Sequence, residues 1–552
     1  MDKKTIETKE SEFGALYGRM DADKDLYYGK AFEMLNAEGK PMSNVQNVTL
    51  PDSKMFARKV IAMIAAANQQ AVVESKTLTD KETTLIERFT DDAYLEADNR
   101  LAKRGIPGMF PFLVEQACIR GHVAARCLVR TVNKNIVMDI LPLDSRYFIY
   151  ELGIDGLIWA AYKTVRSKAR IKEEYGIDIK GDTETVIDYW DKKINMVWIG
   201  NQEIPKGKNP YGFVPFVWQA VLAGSMLADT DALSHQGESI FELSRDVYPD
   251  INKTATVLQT LNVMAIKPPL QYASKEGRLA KKPEKPPYGV GTVVPIEDGP
   301  NSGYRSFPIA DIHAATQVFY AMLEGRLQRA TLAATDYGNL TFPLSGQAIR
   351  DLSQKDDLVL PRLQTLAMFY QQLSRMIIKQ YQMWNIKAEL GEEGHTQLYN
   401  PKDLDGEYTI KYRYFSTTPM EQLANYSVAN AAGDLISDDT KRRDLLKLQD
   451  PDGEATKCRA ELAEKLDPAI ALYRLAVSLI DEDKSLEARL VAERLVALLK
   501  QRQIGNEQIQ PPQEAPKTGG KELLSMLKGG ATPATGGVTQ TAPIGQPGQE
   551  AK

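Results

Sequence analysis

The chain has 552 residues, 43% of them hydrophobic and 26% charged, with a formal charge of -5 at neutral pH. That length supports two to four domains or one large elaborated body, and the balance is that of an ordinary globular protein. The negative charge argues against a protein that coats nucleic acid by charge excess, while leaving room for local basic patches.

Three cysteines (Cys118, Cys127 and Cys458) are too few and too scattered for a disulfide framework or a zinc site, and they fit a reducing cytosol. The opening MDKKTIETKESE has no apolar h-region, so no secretory signal is expected. The run VIAMIAAA at 60–67 is too short to cross a bilayer. The expectation is a soluble intracellular protein.

In chain order, the first 130 residues read helical. MFARKVIAMIAAANQQAVV at 55–73 places Phe56, Val60, Met63 and Ile64 on one stripe. A second helix is predicted over 79–105, opened by Thr79 with Glu82 three residues on, a capping box, and closed at Gly105. FPFLVEQACIRGHVAARCLVR at 110–130 reads as a third, buried helix. The period then changes. Segments 135–152, 156–166, 185–200 and 211–221 are rich in Ile, Val, Tyr and Trp, and Asp191-Lys192-Lys193 separates two runs as a hairpin turn would. A small antiparallel sheet or barrel is predicted, interrupted by one helix at 166–176.

From Pro249, Ile251, Ala255, Leu258, Leu261 and Ala265 follow the helical period until Pro268. The next stretch, KPPLQYASKEGRLAKKPEKPPY, is basic and broken by prolines, and short-strand and glycine-turn text follows it. Helix resumes over 311–334 with Asp311 as cap and Ile312, Ala315, Phe319, Met322 and Leu323 on one face. TDYGNLTFPL at 335–344 reads as a loop. A long helix begins at Ser345, its stripe carried by Leu363, Leu366, Phe369, Leu373, Ile377, Tyr381 and Trp384, with a kink expected at Pro361. A strand at 407–417, a helical block at 419–502 and a Gly/Pro/Gln/Thr tail without expected order complete the chain.

The chain lacks a phosphate loop, an H-E-x-x-H, a nucleophile elbow and a C-x-x-C. His122, His235, His313 and His395 share no metal-ligand spacing and read as surface or satisfied interior residues. Asp91–Asp92 and Asp356–Asp357 are sequence neighbours on helical text, so they point apart and read as solvated faces. No catalysis, cofactor or metal is expected.

The order of elements resembles the portal, or head-to-tail connector, proteins of tailed bacteriophages. GESIFELSRDVYPDINKTATVLQTLNVMAIKPP looks like their first stem helix, and NPYGFVPFVWQAV is similar to the strand before it. LTFPLSGQAIRDLSQKDDLVLPRLQTLAMFYQQLSRMIIKQ resembles the segment after the channel loop in connectors of short-tailed phages. The resemblance covers roughly residues 55–500 and rests on element order rather than on an invariant motif.

It implies an α+β, mainly α, portal fold. The parts would be a wing (1–237), a first stem helix (238–266), a clip (267–310), a second stem helix (311–334), a channel loop (335–344), a long kinked wing helix with a closing strand (345–417), a helical crown (418–502) and a disordered tail (503–552). Copies would form a homo-oligomeric ring, twelve by family expectation, at one capsid vertex of the virion after assembly in the host cytoplasm. Double-stranded DNA would pass through it without sequence specificity during packaging and ejection. The terminase large subunit, then adaptor or tail proteins, would dock on the clip, and major capsid and scaffolding proteins would surround the ring. No membrane is implied. Asp336, Tyr337, Asn339, Thr341 and Phe342 would project into the channel, although an ordinary helix connection explains this loop too. Glu324, Arg326 and Arg329 would face the channel as a balanced set. Lys275, Arg278, Lys281, Lys282 and Lys285 would form the docking surface, or simply solvate a proline-rich loop. Two other classes remain open from sequence: a nucleic-acid-processing enzyme with a dispersed site, and an intracellular scaffold working through its tail.

Overall fold

The computed structural model describes the chain apart from residues 1, 44, 133–134, 226, 230, 267–269, 275–292, 298–302, 307–312, 332–354, 393, 395, 416–425, 447, 449–450, 482–483 and 507–552. It mixes helix and sheet in two compact units, Met1–Pro451 and Asp452–Lys552.

The first unit opens with helices α1 (Lys3–Glu12), α2 (Gly14–Tyr28) and α3 (Asp52–Ala65). The expected helix over 55–73 ends early. After Ala65 the chain becomes strand β1 (Asn68–Ser75), which pairs antiparallel with the strand Tyr408–Phe415 along its whole length. The helical stripe of Phe56, Val60 and Ile64 ends before the buried run of Ala71, Val72 and Val73, and tertiary pairing decides the second half. Helix α4 (Asp80–Lys103) starts at the expected capping box, with Glu82 accepting the Thr79 N–H at 2.8 Å. It buries Ile86, Phe89, Ala93, Ala97 and Leu101.

Helix α5 (Met109–Ile119) is also shorter than expected, because the chain turns at Gly121 into strand β2 (His122–Val132). Gly121 has φ +70°, and a Cβ there would sit 1.6 Å from the Gly237 carbonyl oxygen. No side chain fits, so the helix must stop there. β2 is central to a three-stranded antiparallel sheet, between β3 (Asn135–Leu143) and a later strand, Phe216–Ala220.

Beside it lies a five-stranded antiparallel meander of β4 (Phe148–Gly153), β5 (Gly156–Ser167), β6 (Thr183–Asp191), β7 (Ile194–Ile199) and β8 (Gln202–Lys208), with helix α6 (Lys168–Tyr175) inserted as the sequence predicts. The expected hairpin forms at Asp191, whose carboxylate accepts the N–H groups of Lys193 at 2.6 Å and Ile194 at 2.7 Å. Phe216–Ala220 is β9. The strand text therefore builds two open sheets, not one barrel.

Helix α7 (Val247–Ile266) leads to three short strands, β10 (Leu270–Ser274), β11 (Val293–Glu297) and β12 (Gly303–Ser306), which among the described residues pair only with one another. Helix α8 (His313–Ala330) packs alongside α7. The 30-residue α9 (Lys355–Trp384) runs through Pro361 and buries Leu366, Phe369, Leu373, Ile377 and Tyr381, the predicted stripe, at the centre of the main core. The hairpin β13 (Ala388–Leu390) and β14 (Gln397–Tyr399) follows, and Tyr408–Phe415 closes the unit as β15. From residue 451 onward the block read as helical forms α10 (Pro451–Leu466), α11 (Pro468–Asp481) and α12 (Ser485–Asn506), and α11 packs on α12.

Candidate functional site

At about 1.5 Å per residue, α7 and α8 are rods of roughly 30 and 27 Å. Three sets of contacts place them.

The first is a buried charge cluster at the root of α7. Glu238, 2% exposed, receives Arg245 at 2.6 Å and Arg19 at 3.2 Å. Arg245 also grips Asp23 of α2 through two bonds of 2.6 and 3.0 Å. Arg19 donates further to the carbonyls of Ser234, Gln236 and Gly237, and Arg362 of α9 to those of Leu358 and Glu238. Such forks suit guanidinium geometry, and each fixes direction as well as distance. They tie α2, α7 and α9 to one point.

The second is a strap. Residues 46–50 run opposite to α7 and hang on it by alternate backbone N–H groups. Gln46 donates to Thr260 Oγ1 at 3.0 Å, Val48 to Thr256 Oγ1 at 3.0 Å, and Leu50 to Asn252 Oδ1 at 2.9 Å. The acceptors are four residues apart, about 6.0 Å along a helix. The donors are two apart, about 6.6 Å along an extended chain. The two repeats nearly match, so three rungs form in sequence. This ladder changes the expected face of α7. Its buried residues are Tyr248, Ile251, Thr254, Thr256 and Thr260, while Ala255, Leu258 and Leu261 are half-buried. The apolar period pointed near the right face but missed the polar contacts, because threonine carries no hydrophobic signal.

The third is apolar. On α8, Leu323 is buried and Leu327 reaches the main core, whereas Val318, Phe319 and Met322 remain 72%, 43% and 44% exposed. The expected single face of Phe319, Met322 and Leu323 is thus split. Glu324 and Arg326 are exposed on the same helix, and the Arg329 side chain lies outside the described residues.

All the remaining site residues expected from sequence also lie outside. These are Lys275, Arg278, Lys281, Lys282 and Lys285, and Asp336, Tyr337, Asn339, Thr341 and Phe342. Asp311, Ile312, Pro268 and Ser345 fall outside too. The backbone of β10–β12 is described and falls within the basic excursion.

Among the described residues no group of His, Cys, Asp and Glu could hold a metal, and no helix is long and apolar enough to cross a membrane. His122 is an interior residue, as one reading allowed, but only half satisfied. Nδ1 lies 3.2 Å from the Arg120 carbonyl, whereas the buried Nε2 has no hydrogen-bond partner among the described residues. Burial holds its pKa down to about 3, against the pull of the Arg120 carbonyl. His235 is exposed, 3.6 Å from Glu238.

No family model matches the chain, and no curated protein matches it. Among solved structures, it is similar to a chain in the neck of an empty GTA particle, computed with C6 symmetry. The identity is 13% over 72% of this chain and 90% of that one, with a TM-score of 0.40. A chain in the neck of a native GTA particle, computed with C12 symmetry, gives 13% identity, the same coverages and a TM-score of 0.38.

Proposed function

We propose that the chain is a subunit of a portal ring, the non-catalytic conduit at one capsid vertex through which double-stranded DNA is packaged and ejected. The observation that carries this reading is the excursion between α7 and α8. Two rods packed side by side are joined in sequence through a small sheet whose strands, among the described residues, pair only with each other. A self-paired sheet at the end of a helical pair is a head on a stalk, suited to contact with something outside the subunit.

The split surface of α8 supports the same reading. A subunit with no neighbour gains nothing from holding Val318, Phe319 and Met322 in water. A head-to-tail contact repeated around an axis would cover them, and such contacts close into rings when the rotation allows. In that ring Glu324 and Arg326 would repeat around the bore, opposite charges that neither grip nor repel phosphate strongly. The terminase large subunit, and then adaptor or tail proteins, would dock on the head through Lys275, Arg278, Lys281, Lys282 and Lys285. Major capsid and scaffolding proteins would enclose the ring. The reading extends to a connector and not to a tail type.

Negative-stain microscopy of the purified full chain tests it. Rings with a central hole are expected, with no nuclease or nucleotide turnover. A compact single copy at every concentration would overturn the reading.

A further inference from the structure

An open cleft of about 1180 Å³ separates the three-stranded sheet from the meander, with α6 along one side. Its floor carries unusual charge chemistry. Asp139, 3% exposed, has two oxygens and three guanidiniums around them. Arg104 binds Oδ1 at 3.1 Å, Arg130 binds Oδ2 at 2.6 Å, and Arg126 stands 3.8 Å from Oδ2. Arg126 spends its own strong contact on Asp188, at 2.6 Å, and Asp188 is already occupied by Trp190 Nε1 and Asn195 Nδ2. On this floor three guanidiniums face two carboxylates, while Arg166 and Arg170 beside them both pair with Glu174; Lys208 at the wall adds another positive charge with no acceptor among the described residues.

The surplus points outward. Arg104 and Arg130 are 41% and 49% exposed, and each engages Asp139 through a single Nη. A guanidinium has five N–H donors, so both present unused donors at the mouth. Deeper in, the Nε of Arg126 is buried without a hydrogen-bond acceptor. A buried unsatisfied donor is costly, and a ligand oxygen would relieve it.

We infer that this cleft is a docking site for a short acidic peptide segment of a partner chain, whose carboxylates pair with Arg104 and Arg130. Three features favour peptide over other anions. The volume exceeds the roughly 300–1,000 Å³ of small-molecule pockets. Asp139, Asp188, Glu173 and Glu174 stand among the cations, and that mixed lining repels a dense run of phosphates but tolerates spaced carboxylates. The exposed cations are also too few to track a nucleic-acid backbone. The inference does not depend on ring assembly.

The test is fluorescence anisotropy on the full-length protein with a fluorescein-labelled peptide of alternating glutamate and glycine. Arg104→Gln should weaken binding about tenfold, the loss of one charge-assisted contact, and adding Arg130→Gln should weaken it further. Arg104 is half-exposed, so the single variant should keep the parent melting temperature. Arg104→Glu supplies a readout that damage to the fold would not give: it should lose the glutamate peptide and gain affinity for its lysine counterpart. Equal binding by parent and Arg104→Gln would overturn the proposal, as would no binding by the parent. Tighter binding of an oligothymidylate of equal charge, lost in the same variants, would also overturn it by making this a phosphate site.

Discussion

Single residues here do work that their types alone do not announce. His122 stays neutral because burial removes water from any charged form. Its folded pKa of about 3 lies below the ordinary 6.5, so between those values the unfolded chain takes up a proton that the folded chain refuses. Stability should therefore fall as the pH drops from about 6.5 towards 3, by about 1.4 kcal/mol per pH unit. His122→Gln should flatten that part of a melting-temperature profile, and an unchanged slope would assign the effect elsewhere. Asp139 behaves oppositely. Burial resists its charge, but Arg126, Arg130 and Arg104 prevail and hold its carboxyl below the usual carboxylate range. Its contribution should persist at neutral pH and disappear only in acid below that range. Asp139→Asn should cost about 3 kcal/mol in denaturant unfolding, because guanidiniums lose their buried partner. Thiols sort the same way. Burial pushes Cys118 up to about 12 and Cys127 higher still, whereas Cys458 is exposed. A maleimide at neutral pH should label Cys458 in the folded protein, and Cys118 and Cys127 only after denaturation.

At the scale of elements, sequence reading succeeded where one period ran uninterrupted. The α9 stripe, the capping box of α4 and the Asp191 hairpin all stand where alternating or helical patterns put them. It failed where two elements abut without a proline between them. Ala66–Ala67 and Arg120–Gly121 each end a helix and lead into a strand within two residues, and the apolar text continues through both. Gly121 was visible, yet the Gly237 carbonyl that forbids any Cβ there lies over a hundred residues away. The strap was illegible for a related reason: its partners are backbone N–H groups, which every sequence has. Thr256→Val keeps the shape but leaves the Val48 N–H without its acceptor, so it should cost roughly 1–3 kcal/mol. Amide exchange at Val48 should accelerate. Protection equal to the parent would show that the rung contributes nothing. Of the candidate site, sequence located both rods and the excursion between them. It did not foresee the arginine-lined cleft, whose members come from the end of α4 and from β2, β3, β5, α6, β6, β7 and β8 and share no local pattern.

For the whole molecule, the proposed ring makes the α8 surface decisive. Phe319→Asp would place a charge where a neighbour is expected, and burying an unpaired charge is strongly unfavourable. Sedimentation should then find single copies with a parent-like circular dichroism spectrum, since Phe319 is 43% exposed in the isolated chain. Unaltered assembly would remove α8 from the interface. Replacing Lys281, Lys282 and Lys285 with Glu should leave rings intact and stop packaging, and undiminished packaging would count against the docking role.

The three rungs that hang residues 46–50 on α7 behave like a pawl. If the helix travelled lengthwise, the strap could re-engage only after one full tooth of about 6 Å, four helical residues. The neighbouring teeth carry no short-chain oxygen: Tyr248, with its hydroxyl at the far end of a ring, lies one step before Asn252, and Met264 one step beyond Thr260. A shifted strap would therefore lose an acceptor whichever way it moved. The rod therefore has one register in which all three rungs seat, and a slip of one tooth either way leaves two.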